Sequence, residues 1–173
     1  MSGAAHTTLP EGVQRVTAFL KAKGHAHAPR MLDAAARTAQ QAADALGVSL
    51  GQIAKSIVFR RKPDLLAVLV VTAGDCRVDE GKVQALVCQE GQKLARADAE
   101  FVKLRTGFSI GGVSPLAHVV APMILVDQAL LRFEEIWAAA GHPHAVFRLT
   151  PADLLRLTQT SVVDVSVLAS PLR

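Results

Sequence analysis

Two stretches hold the residue types that can do chemistry: Lys55, within Ile53-Ala54-Lys55-Ser56-Ile57, and the uncharged run from Gly107 to Leu116. The second contains Gly107, Gly111, Gly112 and Pro115 among apolar neighbours. A glycine pair allows torsions and close approach that other residues forbid. Pro115 fixes its own φ and pushes Ser114 out of the helical region. Surface turns usually carry Asn, Asp and charge, so one reading is a loop facing a pocket, with the Gly111 and Gly112 amides aimed at a ligand oxygen. The other is a tight connection between two buried strands. For Lys55, strand alternation puts Ile53, Lys55, Ile57 and Phe59 on one face. Lysine is rarely buried without a partner, so an ammonium in an apolar row points to a pocket holding an anion or a polarised carbonyl. The alternative is a lysine snorkelling out at a strand end.

Other candidates are weaker. The loop Gly74 to Lys82 has Arg77 and Lys82 near a helix start and could hold phosphate, or could be a capped surface helix with local ion pairs. His25/His27 and His142/His144 have a spacing that puts two imidazoles on one strand face. Without a third-ligand motif they read as solvated loop or edge residues, and no metal is expected. Ser109, Ser114 and Ser161 lack a nucleophile elbow, and Cys88 reads as core. Arg60, Arg61, Lys62, Lys93, Arg96, Lys103 and Arg105 could form a basic rim, although most such clusters are solvated faces.

These residues must be positioned by a single domain. The chain has 173 residues, half of them hydrophobic, a net charge of +4 and 4% aromatics with no tyrosine. The size allows a real core, and the scarcity of aromatics disfavours a single-strand binder built on stacking. No apolar run has the length of a spanning helix, and no secretory signal is visible. A cytoplasmic protein with free Cys76 and Cys88 is expected.

In chain order, residues 1–10 read as a flexible tail and 11–173 as the domain. Helices are predicted over Glu11–Lys23, from Thr38 to Gly47, near Asp79–Val87, from Asp98 to Arg105, and from Thr150 to Thr158. Strands are predicted over Ile53–Arg60, Leu65–Thr72, Met123–Val126, Glu135–Ala140, His144–Leu149 and Val162–Leu168. Ala73 to Arg77 reads as a loop, and the first two strands as a hairpin. This order argues for an α+β domain with a mixed, curved sheet, partly open and barrel-like, surrounded by short helices.

With these landmarks in order, the chain resembles the YbaK/prolyl-tRNA synthetase-associated editing-domain family from about Val13 to Thr158. The residues that carry the likeness are Thr38 before the Ala-rich helix, Lys55 in IAKSIVFR, AGDCRVDEGKV, TGFSIGGVSPLAH and ILVDQAL. The resemblance implies a free-standing deacylase, without metal or cofactor, that hydrolyses the ester of mischarged aminoacyl-tRNA, typically a proline tRNA. A synthetase partner is compatible with it. It implies that Lys55 contacts the terminal nucleotide or the ester carbonyl, that Gly111 and Gly112 assist catalysis, and that Thr38, Gly107, Ser114 and Pro115 border the substrate. In the cysteine-clearing branch a pocket tyrosine and a late aspartate are expected. This chain has no tyrosine, and Val146 falls where the aspartate would stand. Alanine or 2-aminobutyrate therefore fits better than cysteine. The competing class is a non-catalytic tRNA- or synthetase-binding module of the same fold.

Overall fold

The computed structural model describes residues 8–169, so most of the expected tail, residues 1–7, lies outside the described residues. The helices are α1 (Glu11–Ala22), α2 (Ala39–Leu46), α3 (Glu80–Val87), α4 (Ala99–Thr106) and α5 (Pro151–Thr158). The strands are β1 (Arg30–Met31), β2 (Ile53–Lys62), β3 (Leu66–Ala73), β4 (Cys76–Val78), β5 (Lys93–Arg96), β6 (Met123–Asp127), β7 (Ile136–Ala139), β8 (Ala145–Leu149), β9 (Val162–Val163) and β10 (Ser166–Leu168). Single 3-10 stretches occupy Leu50–Gln52 and Gln128–Arg132.

The antiparallel hairpin of β2 and β3 is the spine, paired from Ala54 opposite Ala73 to Arg61 opposite Leu66. Around it the main sheet runs β1-β8-β7-β2-β3-β6-β9, with β5 added to the far half of β2. It is mixed, because β2–β7, β3–β6 and β6–β9 are parallel, and it is open, with edges at β1 and β9. Every β3 residue from Ala67 to Ala73 is buried, as a strand apolar on both faces requires. On one face Leu69 and Val71 pack with Val13, Val16 and Leu20 of α1, Phe108, and Leu154 of α5. On the other, Phe59, Val68 and Val70 pack with Val83 and Val87 of α3, while Ile53 meets Ala42 and Ala43 of α2.

Helix starts follow the capping chemistry. The Thr38 hydroxyl accepts from the Gln41 N–H at 3.1 Å, Asp98 from the Phe101 N–H at 2.8 Å, and Thr150 from the Asp153 N–H at 3.0 Å. Gly47 and Gly107 end α2 and α4 in the left-handed conformation, with φ of 67° and 82°.

Two local expectations are corrected. The closing strand Val162–Leu168 is two strands: β9 pairs with β6, and β10 pairs with β4 in a separate ribbon. The break follows from Asp127, a fully buried carboxylate that accepts from the Val165 N–H as well as from the Thr72 and Ser166 hydroxyls. A buried carboxylate must be hydrogen-bonded, so it takes the N–H that a continuous strand would have kept. The loop Ala73 to Arg77 turns only at Gly74-Asp75, then Cys76 to Val78 becomes β4 because β10 supplies a partner. Lys93 and Arg96, read as possible members of a basic rim, are exposed and bound β5, a strand on β2 that was not predicted. Among the described residues no helix is long and apolar enough to cross a membrane.

Candidate functional site

The site lies where the sheet splits. β2 pairs with β7 only through Ile53 and Ala54, and with β5 only from Phe59 onward. Between these partners the strand edge at Lys55–Ile57 borders a cavity of about 240 Å3. Small apolar residues wall it, among them Ala42, Ala138, Ala139, Ala145 and Val146. Its polar lining comes from Arg37, Thr38, Lys55, Ser56, Trp137 and His142, with Gly111 from the glycine loop.

Lys55 sits on the face of β2 that carries Ile53 and Phe59, as alternation requires, between the cluster under α2 and the cluster under α3. Burial pulls its ammonium below the usual lysine range. The charges of Cys76 and Asp75 oppose that shift and Arg96 adds to it. No ion pair or hydrogen bond to Lys55 occurs among the described residues. Asp75, the acid whose charge acts on it, is committed to Arg132 through bonds of 2.9 and 2.6 Å. A half-buried ammonium without a protein partner is free to meet an external oxygen or anion.

The glycine loop also borders the cavity, through Ile110, Gly111 and Val113. Gly111 has a φ of +93°, and the Gly112 N–H donates to the Ser109 carbonyl at 3.0 Å. Glycine at positive φ followed by that bond is the pattern of a type II turn. The expectation that both amides point at a ligand is therefore corrected: the Gly112 amide closes the turn. The Gly111 N–H has no acceptor among the described residues. Gly112 instead lies against the main chain of His142, where an added Cβ would fall 2.7–2.9 Å from three backbone atoms.

Of the other residues singled out from the sequence, Thr38 lines the cavity while its hydroxyl caps α2. Gly107, Ser114 and Pro115 do not line it. Gly107 caps α4 beside Arg15. Ser114 is fully buried; its hydroxyl accepts from the Leu116 N–H at 3.2 Å and its carbonyl meets His118 at 2.7 Å. Pro115 borders a different cavity, with Phe19, His118 and Leu157. These three shape the loop from behind.

Sequence reasoning missed Ser56 and Trp137. Both line the cavity, and the Ser56 Oγ and the Trp137 indole N–H are buried without a hydrogen-bond partner. The signal for Ser56 was a hydroxyl in the otherwise apolar row Ala54-Ser56-Val58. Trp137 was legible only through register, since it stands opposite Ile53. His142 also lines the cavity, and burial, then His144 and Arg37, hold its imidazole below the usual histidine range. The histidines read as solvated are in fact partly buried: His25 bonds the Arg148 carbonyl at 2.8 Å and His144 the Leu32 carbonyl at 3.2 Å. No cluster of three metal-capable side chains occurs among the described residues.

An open mixed sheet, with a lysine on its split strand facing a glycine loop, defines a domain that proteins of known kind share. The family model of the aminoacyl-tRNA editing domain matches residues 33–157, and the chain belongs to that family. It is 36% identical over 129 residues to the uncharacterized protein YwhH of Bacillus subtilis (strain 168), covering 74% of this chain and 80% of that protein. A crystal structure described as a candidate trans-editing enzyme for prolyl tRNA synthetase matches with a TM-score of 0.84 at 40% identity, over 92% of this chain and 99% of that one. The proline–tRNA ligase of Thermoanaerobacter sp. (strain X514) is 28% identical over 94 residues, which is 54% of this chain and 16% of the ligase.

Proposed function

We propose that this editing domain acts in trans as a deacylase, hydrolysing the ester of proline tRNA mischarged with alanine or 2-aminobutyrate, in the cytoplasm and without a metal. The observation that carries the reading is the presence of both Lys55 and Gly111 in the lining of one small apolar cavity. At about 240 Å3 it falls below the roughly 300–1,000 Å3 typical of drug-sized ligand sites, and so suits an aminoacyl group. Val146 in the wall, rather than an acid, favours an aliphatic side chain.

An aminoacyl ester is already activated, so hydrolysis needs a placed water and a stabilised oxyanion more than a strong nucleophile. Water adds to the ester carbonyl, and the negative charge on its oxygen is met by the Lys55 ammonium and the Gly111 N–H. The bond from carbon to ribose oxygen then breaks, the proton lost by the water passes to that oxygen, and the amino acid and a free tRNA end leave. Each oxyanion donor contributes about 2.7–4 kcal/mol to barrier lowering in well-studied cases. The neighbouring ribose hydroxyl orients the water.

The test is a deacylation panel on one proline tRNA charged with alanine, 2-aminobutyrate, serine, cysteine or proline. Rapid clearance of alanine and 2-aminobutyrate, with prolyl-tRNA spared, is expected. Faster clearance of cysteine would overturn the specificity. No clearance by folded protein would leave a tRNA- or synthetase-binding module.

A further inference from the structure

The unpaired stretch of β2 presents more than Lys55. Main-chain groups along a strand point alternately to its two neighbours. The Val58 carbonyl accepts from the Ala97 N–H at 3.3 Å, on the β5 side. Ser56, two residues back, therefore turns its N–H and C=O the same way, into the gap that β7 has left and β5 has not reached. Its side chain adds a third polar group there: Oγ is buried without a partner, and Ser56 lines both the main cavity and the smaller one adjoining it. A buried polar group without a partner is uncommon in native proteins and is often tied to function.

We propose that Ser56 is the subsite for the α-ammonium of the aminoacyl group, which pairs with the open edge of β2 as the next strand would. An aminoacyl group is chemically a strand residue: its α-nitrogen and carbonyl leave one Cα with the spacing of a main-chain N–H and C=O. The Ser56 carbonyl and Oγ accept from the ammonium, and the Ser56 N–H donates to the acyl oxygen. The residue's side chain then lies along the wall of Ala139 and Val146, which are paired on one face of the sheet. Lys55 leaves the opposite face of the strand and meets the acyl oxygen, while the ammonium is held by Ser56; burial lowers the pKa of Lys55, which eases the repulsion between the two cations. Arg96, the cation on the side of the smaller cavity, is drawn toward Glu80 at 3.4 Å. This inference rests on the deacylase reading for the identity of its ligand. It adds that the enzyme recognises the free α-amino group, through the Ser56 carbonyl together with its hydroxyl.

The experiment uses two uncleavable ligands, 3′-alanylamino-3′-deoxyadenosine and its lactyl counterpart, in which a hydroxyl replaces the ammonium. Binding is followed by amide NMR on the full chain, and alanyl-tRNA hydrolysis is assayed on the same preparation. The alanyl ligand is expected to shift the Ser56 amide and to bind about tenfold or more tighter than the lactyl ligand, the scale of a charge-assisted hydrogen bond. Ser56→Ala is expected to shrink that ratio several-fold with little effect on lactyl binding. Equal affinities, a Ser56 amide that stays still in the bound state, or no binding would overturn the proposal. Discrimination without hydrolysis would overturn the deacylase reading alone; hydrolysis without discrimination would overturn the ammonium subsite alone.

Discussion

Gly112 lies against His142 so closely that a Cβ on the glycine would stand 2.7 Å from the histidine Cα and 2.8 Å from its carbonyl carbon. The contact clamps the glycine loop onto the β7–β8 turn and so sets the width of the cavity between Gly111 and His142. Backbone cannot yield as a flexible side chain would. Gly112→Ala should therefore cost about 1–3 kcal/mol of stability, the usual range for overpacking. It should also lower deacylation by more than the lost folded fraction explains. Urea titration together with hydrolysis rates at matched folded concentration separates the two. An unchanged midpoint would show that the clamp is loose.

Lys55 should behave in the opposite way. Burial disfavours its ammonium, so the folded state holds that proton less tightly than the unfolded chain does. Between its folded pKa and the usual lysine value the unfolded chain binds more protons, and stability rises with pH there; below that window the full cost remains. Lys55→Met removes the cost, and at neutral pH its Tm is expected to equal or exceed that of the parent while deacylation falls by about a hundredfold, the effect of one lost oxyanion donor. The parent's activity, corrected for uncatalysed ester hydrolysis, should decline on the alkaline side before the ordinary lysine range. A fall in Tm with activity intact would make Lys55 structural.

Much of this was legible in the sequence because it is local. Caps at Thr38, Asp98 and Thr150 and stops at Gly47 and Gly107 depend on a few adjacent residues, and each stands where it was read. The row containing Lys55 follows from alternation alone. What failed was set by partners distant in sequence. β4 exists because β10 reaches it, and Val162–Leu168 breaks because Asp127, 38 positions before Val165, takes an N–H. The site divides the same way. Lys55 announces itself as a charge in an apolar strand, whereas Ser56 matters only because two neighbouring strands stop short of it. Gly112 looked like a donor because nothing in sequence reveals that Ser109 already accepts its N–H.

The Asp75–Arg132 pair ties the turn before β4 to the segment after β6. Hydrogen bonds from Arg132 hold the Asp75 carboxyl below the usual carboxylate range. A depressed folded pKa contributes stability that is fully present above the unfolded value, near 3.9, and lost as pH falls through the folded one. The Arg132 and Asp75 side chains are 42% and 30% exposed, so the contribution is limited to about 1 kcal/mol. Melting curves from neutral to strongly acidic pH should show Asp75→Asn less stable at neutral pH and converging with the parent in acid. Parallel curves at all pH values would assign the loss to packing instead.

Selectivity among small residues should reside in the alanines of the wall. Ala139, at the end of β7, lines the cavity where β2 and β7 separate. Two added methyl groups there would take up space that 2-aminobutyrate needs and alanine does not. Discrimination by one methylene in an apolar pocket amounts to about 1–3 kcal/mol, which corresponds to 10–200-fold. Ala139→Val is therefore expected to lower 2-aminobutyryl-tRNA clearance by about tenfold or more relative to alanyl-tRNA clearance, mainly through KM. Equal losses on both substrates would place the side-chain pocket elsewhere in the cavity, beside Val146 or Ala42. Serine provides the internal control, since it is close to 2-aminobutyrate in size but brings a hydroxyl. If the wall acts by volume, seryl and 2-aminobutyryl clearance should fall together in Ala139→Val, whatever their ratio in the parent.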